Sequence, residues 1–142
     1  MSETKPRPRV LLVDDYPDAL EIWTLYLELS GYEVLTADNG RDAVTKAITG
    51  RPDIIVMDLE LPGISGFEAA KQIRENTEMS EVPLIAATGY SHARQLDEAR
   101  ASGFDLIMIK PCDPAHLAAE IDRLLNASSA TRFDRHIDSA SK

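Results

Sequence analysis

Apolar residues in this chain fall into short unbroken runs, separated by stretches in which they recur every three or four positions. The runs are VLLV (10–13), YEVLTA (32–37), DIIVMD (53–58), VPLIAAT (82–88) and DLIMIK (105–110). Four of the five are apolar at consecutive positions rather than alternate ones, the pattern of parallel strands covered on both faces. YEVLTA is more polar and suits a sheet edge.

Five helical stretches lie between and after these strands. The first runs from about Pro17 to Ser30 and closes on Gly31, and the second covers roughly 40–49, with Gly50 and Pro52 behind it. The third covers roughly 66–75, and the fourth roughly 91–102 before Gly103. The fifth opens on Asp113-Pro114, a capping residue followed by proline in the first turn. Its Leu117, Ala118, Ile121, Leu124 and Leu125 sit at helical spacing. Strand and helix alternating five times predict a doubly wound, flavodoxin-like α/β domain with a parallel sheet. The domain is expected over 9–126, with 1–8 a disordered lead and 127–142 a tail, flexible or packed on the first and fifth helices.

Composition narrows the class. The chain has 142 residues, 44% of them hydrophobic, which suits one globular domain. Its longest apolar runs are far short of the ~18 residues of a membrane span, and the first is too short for a signal peptide. A single cysteine, Cys112, fits a reducing compartment, so a cytoplasmic location is expected. The formal charge of -9 argues against a nucleic-acid surface, which needs clustered Lys and Arg.

In an open parallel sheet, ligands bind beyond the carboxyl ends of the strands. Those ends carry Asp14 and Asp15, then Asp58, Thr88, and Lys110 followed by Pro111. A buried strand is a stiff mount for a carboxylate that must still reach solvent. Three crowded carboxylates repel one another, and a bound cation offsets that cost. Mg²⁺, which keeps several waters, suits an open acidic pocket. An ammonium and a hydroxyl complete the groups that phosphoryl transfer needs, since positioning and charge neutralisation do most of that work. Each residue also has an ordinary reading: Asp-Asp as a helix cap, Asp58 as a strand end, Thr88-Gly89 as a turn, Lys110 as a surface lysine. Those readings do not predict that all five meet at one end of the sheet.

The motifs LLVDD, MDLELPGISG, AATG and IKP, in this order and spacing, resemble those of response-regulator receiver domains, the phosphoacceptor half of two-component signalling. The resemblance covers about residues 9 to 126. It implies strand order 2-1-3-4-5, with Asp58 taking a phosphoryl group from the phosphohistidine of a histidine kinase or phosphotransfer protein. It also implies Mg²⁺ held by Asp15 directly, by Asp14 mainly through water, by Asp58, and by the backbone carbonyl of Glu60. Thr88 and Lys110 would hold phosphoryl oxygens, Lys110 would pair with Asp58 before modification, and Lys110-Pro111 would be cis. No separate substrate is expected, only hydrolysis of the chain's own aspartyl phosphate. The residues after the fifth helix are too few for a DNA-binding or enzymatic domain, so output is expected through protein partners.

Alternatives remain at this stage: a Mg²⁺-dependent phosphohydrolase working through an aspartyl phosphate, or a binding module that is never phosphorylated. A cofactor-binding flavodoxin relative fits poorly, because Asp14 and Asp15 would repel a phosphate in the first loop. Three positions depart from the receiver pattern or qualify it. Ile107 stands where receivers often carry a switch aromatic, and Tyr90 and Glu60 flank the expected path of the attacking water. The first helix is also too apolar, its apolar residues spreading over roughly 220° where a core stripe needs ~100° or more. Leu20, Leu25 and Leu29 are expected at or beyond the edge of its buried stripe. Either they dock a partner or a second copy of the chain, or the C-terminal tail covers them through Phe133 and Ile137.

Overall fold

The computed structural model describes residues 7–89 and 92–141, with side chains described as far as 127. Five strands alternate with five helices: β1 (Arg9–Val13), α1 (Pro17–Leu29), β2 (Glu33–Ala37), α2 (Gly40–Gly50), β3 (Ile54–Met57), α3 (Gly66–Glu75), β4 (Leu84–Thr88), α4 (Ala93–Ser102), β5 (Leu106–Ile109) and α5 (Pro114–Ser141). All strand pairs are parallel, in the order β2-β1-β3-β4-β5. The polar run YEVLTA supplies β2, at an edge, as its pattern predicts.

Consecutive apolar residues are explained by two cores, one on each face of the sheet. Leu11 and Val13 of β1, Ile55 and Met57 of β3, and Leu84 and Ala86 of β4 join α2, α3 and α4 on one face. Their neighbours Val10, Leu12, Ile54, Val56, Ile85 and Ala87 join α1 and α5 on the other. Burying each of the large aliphatic side chains contributes about 1.5–3 kcal/mol. The sheet's centre is therefore its most stable part, and the strand ends inherit that rigidity.

Helix boundaries follow local chemistry. Asn39 and Ser65 cap α2 and α3, their side chains accepting the N–H groups of Asp42 and Glu68 at 2.9 and 3.2 Å. The Asp113 carboxylate accepts the Ala115 N–H at the start of α5. At the end of α2, Arg51 rather than Gly50 takes the left-handed conformation, with φ 48°. Gly50 remains helical, and a Cβ there would press on the end of the Leu35 side chain of β2. A short 3-10 turn at Thr77–Met79, capped by Asn76, is a further element that the apolar pattern does not reveal.

Helix α5 runs on through the segment expected as a tail, to Ser141. No glycine or proline after Pro114 interrupts it. The expectation that Phe133 and Ile137 cover α1 concerns side chains outside the described residues. Among the described residues, no helix is long and apolar enough to cross a membrane.

Candidate functional site

The carboxyl ends of β1, β3, β4 and β5 carry the groups singled out in the sequence, and backbone hydrogen bonds hold each in place. The Asp14 N–H donates to the Ala37 carbonyl at 3.2 Å, and the Asp58 N–H to the Val13 carbonyl at 3.0 Å. The Lys110 N–H donates to the Thr88 carbonyl at 2.7 Å. The ladders thus continue one residue past the strands, so the three side chains project from fixed backbone. Thr88 ends β4, fully buried beside Ile109 of β5. Lys110-Pro111 is cis, as the resemblance implies.

Asp14, Asp15 and Asp58 converge, each offering a carboxylate oxygen within 4.8 Å of the others. The Lys110 ammonium bridges two of them, donating to Asp14 Oδ2 at 2.6 Å and to Asp58 Oδ2 at 3.0 Å. Each of these carboxylates uses its other oxygen to accept a backbone N–H, Tyr16's at Asp14 and Glu60's at Asp58. Asp14 and Asp58 are buried, whereas Asp15 is exposed. Sequence reasoning paired Lys110 with Asp58 alone; the shorter contact, to Asp14, has no signal in residue spacing.

Burial dominates the electrostatics. It pushes the Asp58 carboxyl above the ordinary carboxylate value, and the Glu60 N–H and Lys110 offset this only in part. Burial works to lower the Lys110 ammonium, but its hydrogen bonds to Asp14 and Asp58 outweigh that and hold it above its usual value. A desolvated carboxylate with one lysine as its neighbouring cation is a group whose charge balance a second cation would improve.

The donor set fits a hard divalent ion. Mg²⁺ binds oxygen at 2.0–2.1 Å, so ligand oxygens on opposite sides stand about 4.2 Å apart. The three carboxylates, with oxygens within 4.8 Å of one another, lie near enough for an ion to engage them directly or through water, and exposed Asp15 leaves the remaining positions to water. Beside Asp58 lies a cleft of ≈ 550 Å³ walled by Asp15, Glu60, Leu61, Pro62, Ser65 and Phe67, room for a phosphoryl group to approach. Gly66 keeps that wall close, since a Cβ there would collide with the Asp58 carbonyl oxygen and come within 2.7 Å of Leu59 Cα.

Other singled-out residues lie apart from this cluster. Tyr90 is outside the described residues. Ile107 packs against the core on the α3 and α4 side of the sheet. Cys112 is half-buried, and burial pushes its thiol up. His92 is exposed at the start of α4, and His116 pairs with Glu120 on α5. Arg74, missed in the sequence, donates to the carbonyls of Ser80, Val82 and Gly103 and to the Asp105 carboxylate. It staples α3 to the segments that lead into β4 and β5, and no motif announces it.

A sequence profile described as response regulator receiver domain matches residues 10–122. The chain belongs to that family. Protein PilH of Pseudomonas aeruginosa is 34% identical over 117 residues, which are 82% of this chain and 97% of PilH. Among solved structures, the chemotaxis response regulator CheY4 of Vibrio cholerae is 32% identical with a TM-score of 0.78, covering 82% of this chain and 98% of CheY4. The receiver domain of the Pseudomonas aeruginosa sensor histidine kinase PA1611, with a magnesium ion coordinated in its active-site cleft, is 29% identical with a TM-score of 0.79. That match covers 84% of this chain and 98% of the PA1611 domain. The receiver spans about half the length of several other curated relatives. It is thus a receiver domain of two-component signalling, a class of signalling modules that work through other proteins.

Proposed function

We propose that Asp58 is the phosphoacceptor, taking its phosphoryl group from a phosphohistidine on a kinase or phosphotransfer protein. The Asp58 carboxylate attacks phosphorus; the new O–P bond forms as the N–P bond breaks, and the imidazole leaves with the electron pair and takes up a proton. Asp14, Asp15, Asp58 and the Glu60 backbone carbonyl hold Mg²⁺, which when bound neutralises charge building on the phosphoryl oxygens. Lys110 and Thr88 hold phosphoryl oxygens, and Asp14 keeps the ammonium anchored once Asp58 is phosphorylated. The product is a mixed anhydride, which water returns to free carboxylate and inorganic phosphate. The signal passes to protein partners through the modified state.

The observation that carries this reading is the lysine bridge between two buried carboxylates beside an exposed third, at the end of the sheet where ligands bind. The magnesium ion in the PA1611 receiver supports the metal assignment. Incubation with acetyl phosphate and Mg²⁺, followed by intact mass, tests it. The native chain should gain one phosphoryl group and Asp58→Asn none. An unmodified native chain overturns the reading, and turnover of free phosphate esters would point instead to a phosphohydrolase.

A further inference from the structure

Backbone contacts join the mounts of the acidic cluster in a closed circuit, and one link of it lies outside the site. The Asp58 N–H donates to the Val13 carbonyl and the Asp14 N–H to the Ala37 carbonyl, which ties together the ends of β3, β1 and β2. From Ala37 the chain passes through Asp38 and Asn39 into α2. Asn39 fixes the first turn of that helix, its side chain accepting the Asp42 N–H and its carbonyl the Ala43 N–H. Gly40, which opens the turn, is buried. A Cβ on it would collide with the Ile64 carbonyl oxygen and stand 2.5 Å from Ile64 Cγ1. Ile64 belongs to the loop that carries Glu60, and Gly66 at the end of that loop abuts the Asp58 carbonyl in the same way. There the circuit closes.

The loop from Leu59 to Gly66 has little freedom of its own. The Gly66 N–H donates to the Leu59 carbonyl at 2.9 Å, Leu59 is buried, and Asp58 Oδ1 accepts the Glu60 N–H. Pro62 fixes one backbone angle, and Gly63, at φ 79°, makes the turn that follows it. With both ends pinned, a push on Ile64 is passed along this short segment towards Glu60 rather than absorbed. Neither Gly40 nor Ile64 lines the cleft beside Asp58, so the push would come from behind the loop. We propose that Gly40 is a positioning residue for the metal site. Its missing side chain lets α2 seat against Ile64 and so holds the Glu60 carbonyl where Mg²⁺ needs it. Linkage makes the effect reciprocal: a cation bound at Asp58 and Glu60 tightens the first turn of α2, an element that contributes no ligand. The inference rests on the metal reading above and adds to it a determinant of affinity outside the ligand set.

Calorimetric titration of the unphosphorylated full chain with Mg²⁺ tests this, with Gly50→Ala as the control. Gly50 lies at the other end of α2, where a Cβ would press on the Leu35 side chain, so that variant perturbs the same helix without touching the loop. Gly40→Ala should weaken Mg²⁺ binding at least about tenfold, and Gly50→Ala should stay within about twofold of the native chain. Amide hydrogen exchange reads the reverse direction. In the native chain, added Mg²⁺ should slow the Asp42 and Ala43 amides at least about threefold more than those of α4, and in Gly40→Ala this excess should vanish. Should Gly40→Ala fail to fold, the exchange result on the native chain decides by itself. Amides of Asp42 and Ala43 that respond to Mg²⁺ no more than those of α4 overturn the proposal. So do equal losses of affinity in Gly40→Ala and Gly50→Ala. A native chain that binds no Mg²⁺ overturns the metal reading and this proposal together, whereas native binding that Gly40→Ala leaves intact overturns this proposal alone.

Discussion

Lys110→Met removes the ammonium between Asp14 and Asp58 and leaves two carboxylates, only 6% and 11% exposed, facing each other. Removing one partner of a buried ion pair costs about 3–5 kcal/mol. Lys110 itself is 27% exposed, so water can enter its place, and we expect a loss of about 2–4 kcal/mol at neutral pH without divalent metal. The loss must depend on pH in a particular sense. The native Asp58 carboxyl already lies above its unfolded value, so the folded state binds the extra proton and stability falls as pH rises through that interval. Deleting Lys110 removes a hydrogen bond and a charge that lower this carboxyl, and the interval widens upward. The gap between native and variant protein should therefore be full near pH 7–8 and shrink as pH falls towards the unfolded carboxylate value. It should also close at strongly alkaline pH. The Lys110 ammonium is held above its usual value, and its contribution is lost only as pH rises through that raised value.

Urea unfolding followed by the fluorescence of Trp23, the sole tryptophan, measures the gap, with a midpoint shift at constant slope taken as stability. Saturating Mg²⁺ should recover much of the loss, because a cation on Asp14, Asp15 and Asp58 supplies the missing charge. A deficit that is equal at pH 5 and pH 8 and indifferent to Mg²⁺ would refute the electrostatic account and leave a packing defect as its cause.

Arg74→Ala should destabilise by about 2–4 kcal/mol, since three carbonyls and the Asp105 carboxylate lose a donor at once. Arg74→Lys should recover little, as one ammonium cannot span those acceptors; a urea midpoint unchanged in Arg74→Ala would remove the staple argument. Gly66→Ala should cost about 1–3 kcal/mol and slow phosphorylation by acetyl phosphate, because the added Cβ meets Asp58 and Leu59 backbone. Normal stability and normal phosphorylation in that variant would show that the loop yields freely. Glu60→Ala should change the lifetime of the phosphorylated state with little effect on folding, because it is the Glu60 backbone, not its side chain, that bonds Asp58. Dephosphorylation half-lives equal to the native chain's would exclude Glu60 from the water's path.

The fold was legible because burial on both faces leaves an unambiguous trace. Ile54 to Met57 and Val10 to Val13 have no polar position to turn outward, and only a sheet covered on both sides accepts them. Helix ends were legible where a specific chemistry terminates them, as at Asp113 and Gly103. They were not legible elsewhere. Gly50, expected just behind the second helix, lies within it, and Arg51 takes the left-handed position. The length of α5 is set by the absence of any breaker after Pro114, which a search for stop signals does not register.

The site was legible in membership but not in pairing, and the difference has a physical origin. Strand ends dictate which side chains share a neighbourhood, because parallel ladders fix their backbones to within a residue. They do not dictate which carboxylate oxygen an ammonium takes, since that depends on the acceptors left over by local backbone donors. Here the Tyr16 and Glu60 N–H groups claim Oδ1 of Asp14 and of Asp58, so both Oδ2 atoms turn to Lys110. The lysine is thereby tied more closely to the residue that phosphorylation would not alter, at 2.6 Å, than to the one it would, at 3.0 Å. If Asp58 is phosphorylated as proposed, the longer contact would weaken while the shorter one persists, and the ammonium would stay in place to meet the phosphoryl oxygens. With Ile107 unable to act as an aromatic switch, the Asp14–Lys110 pair is the neighbour of Asp58 whose surroundings its phosphorylation would change most directly.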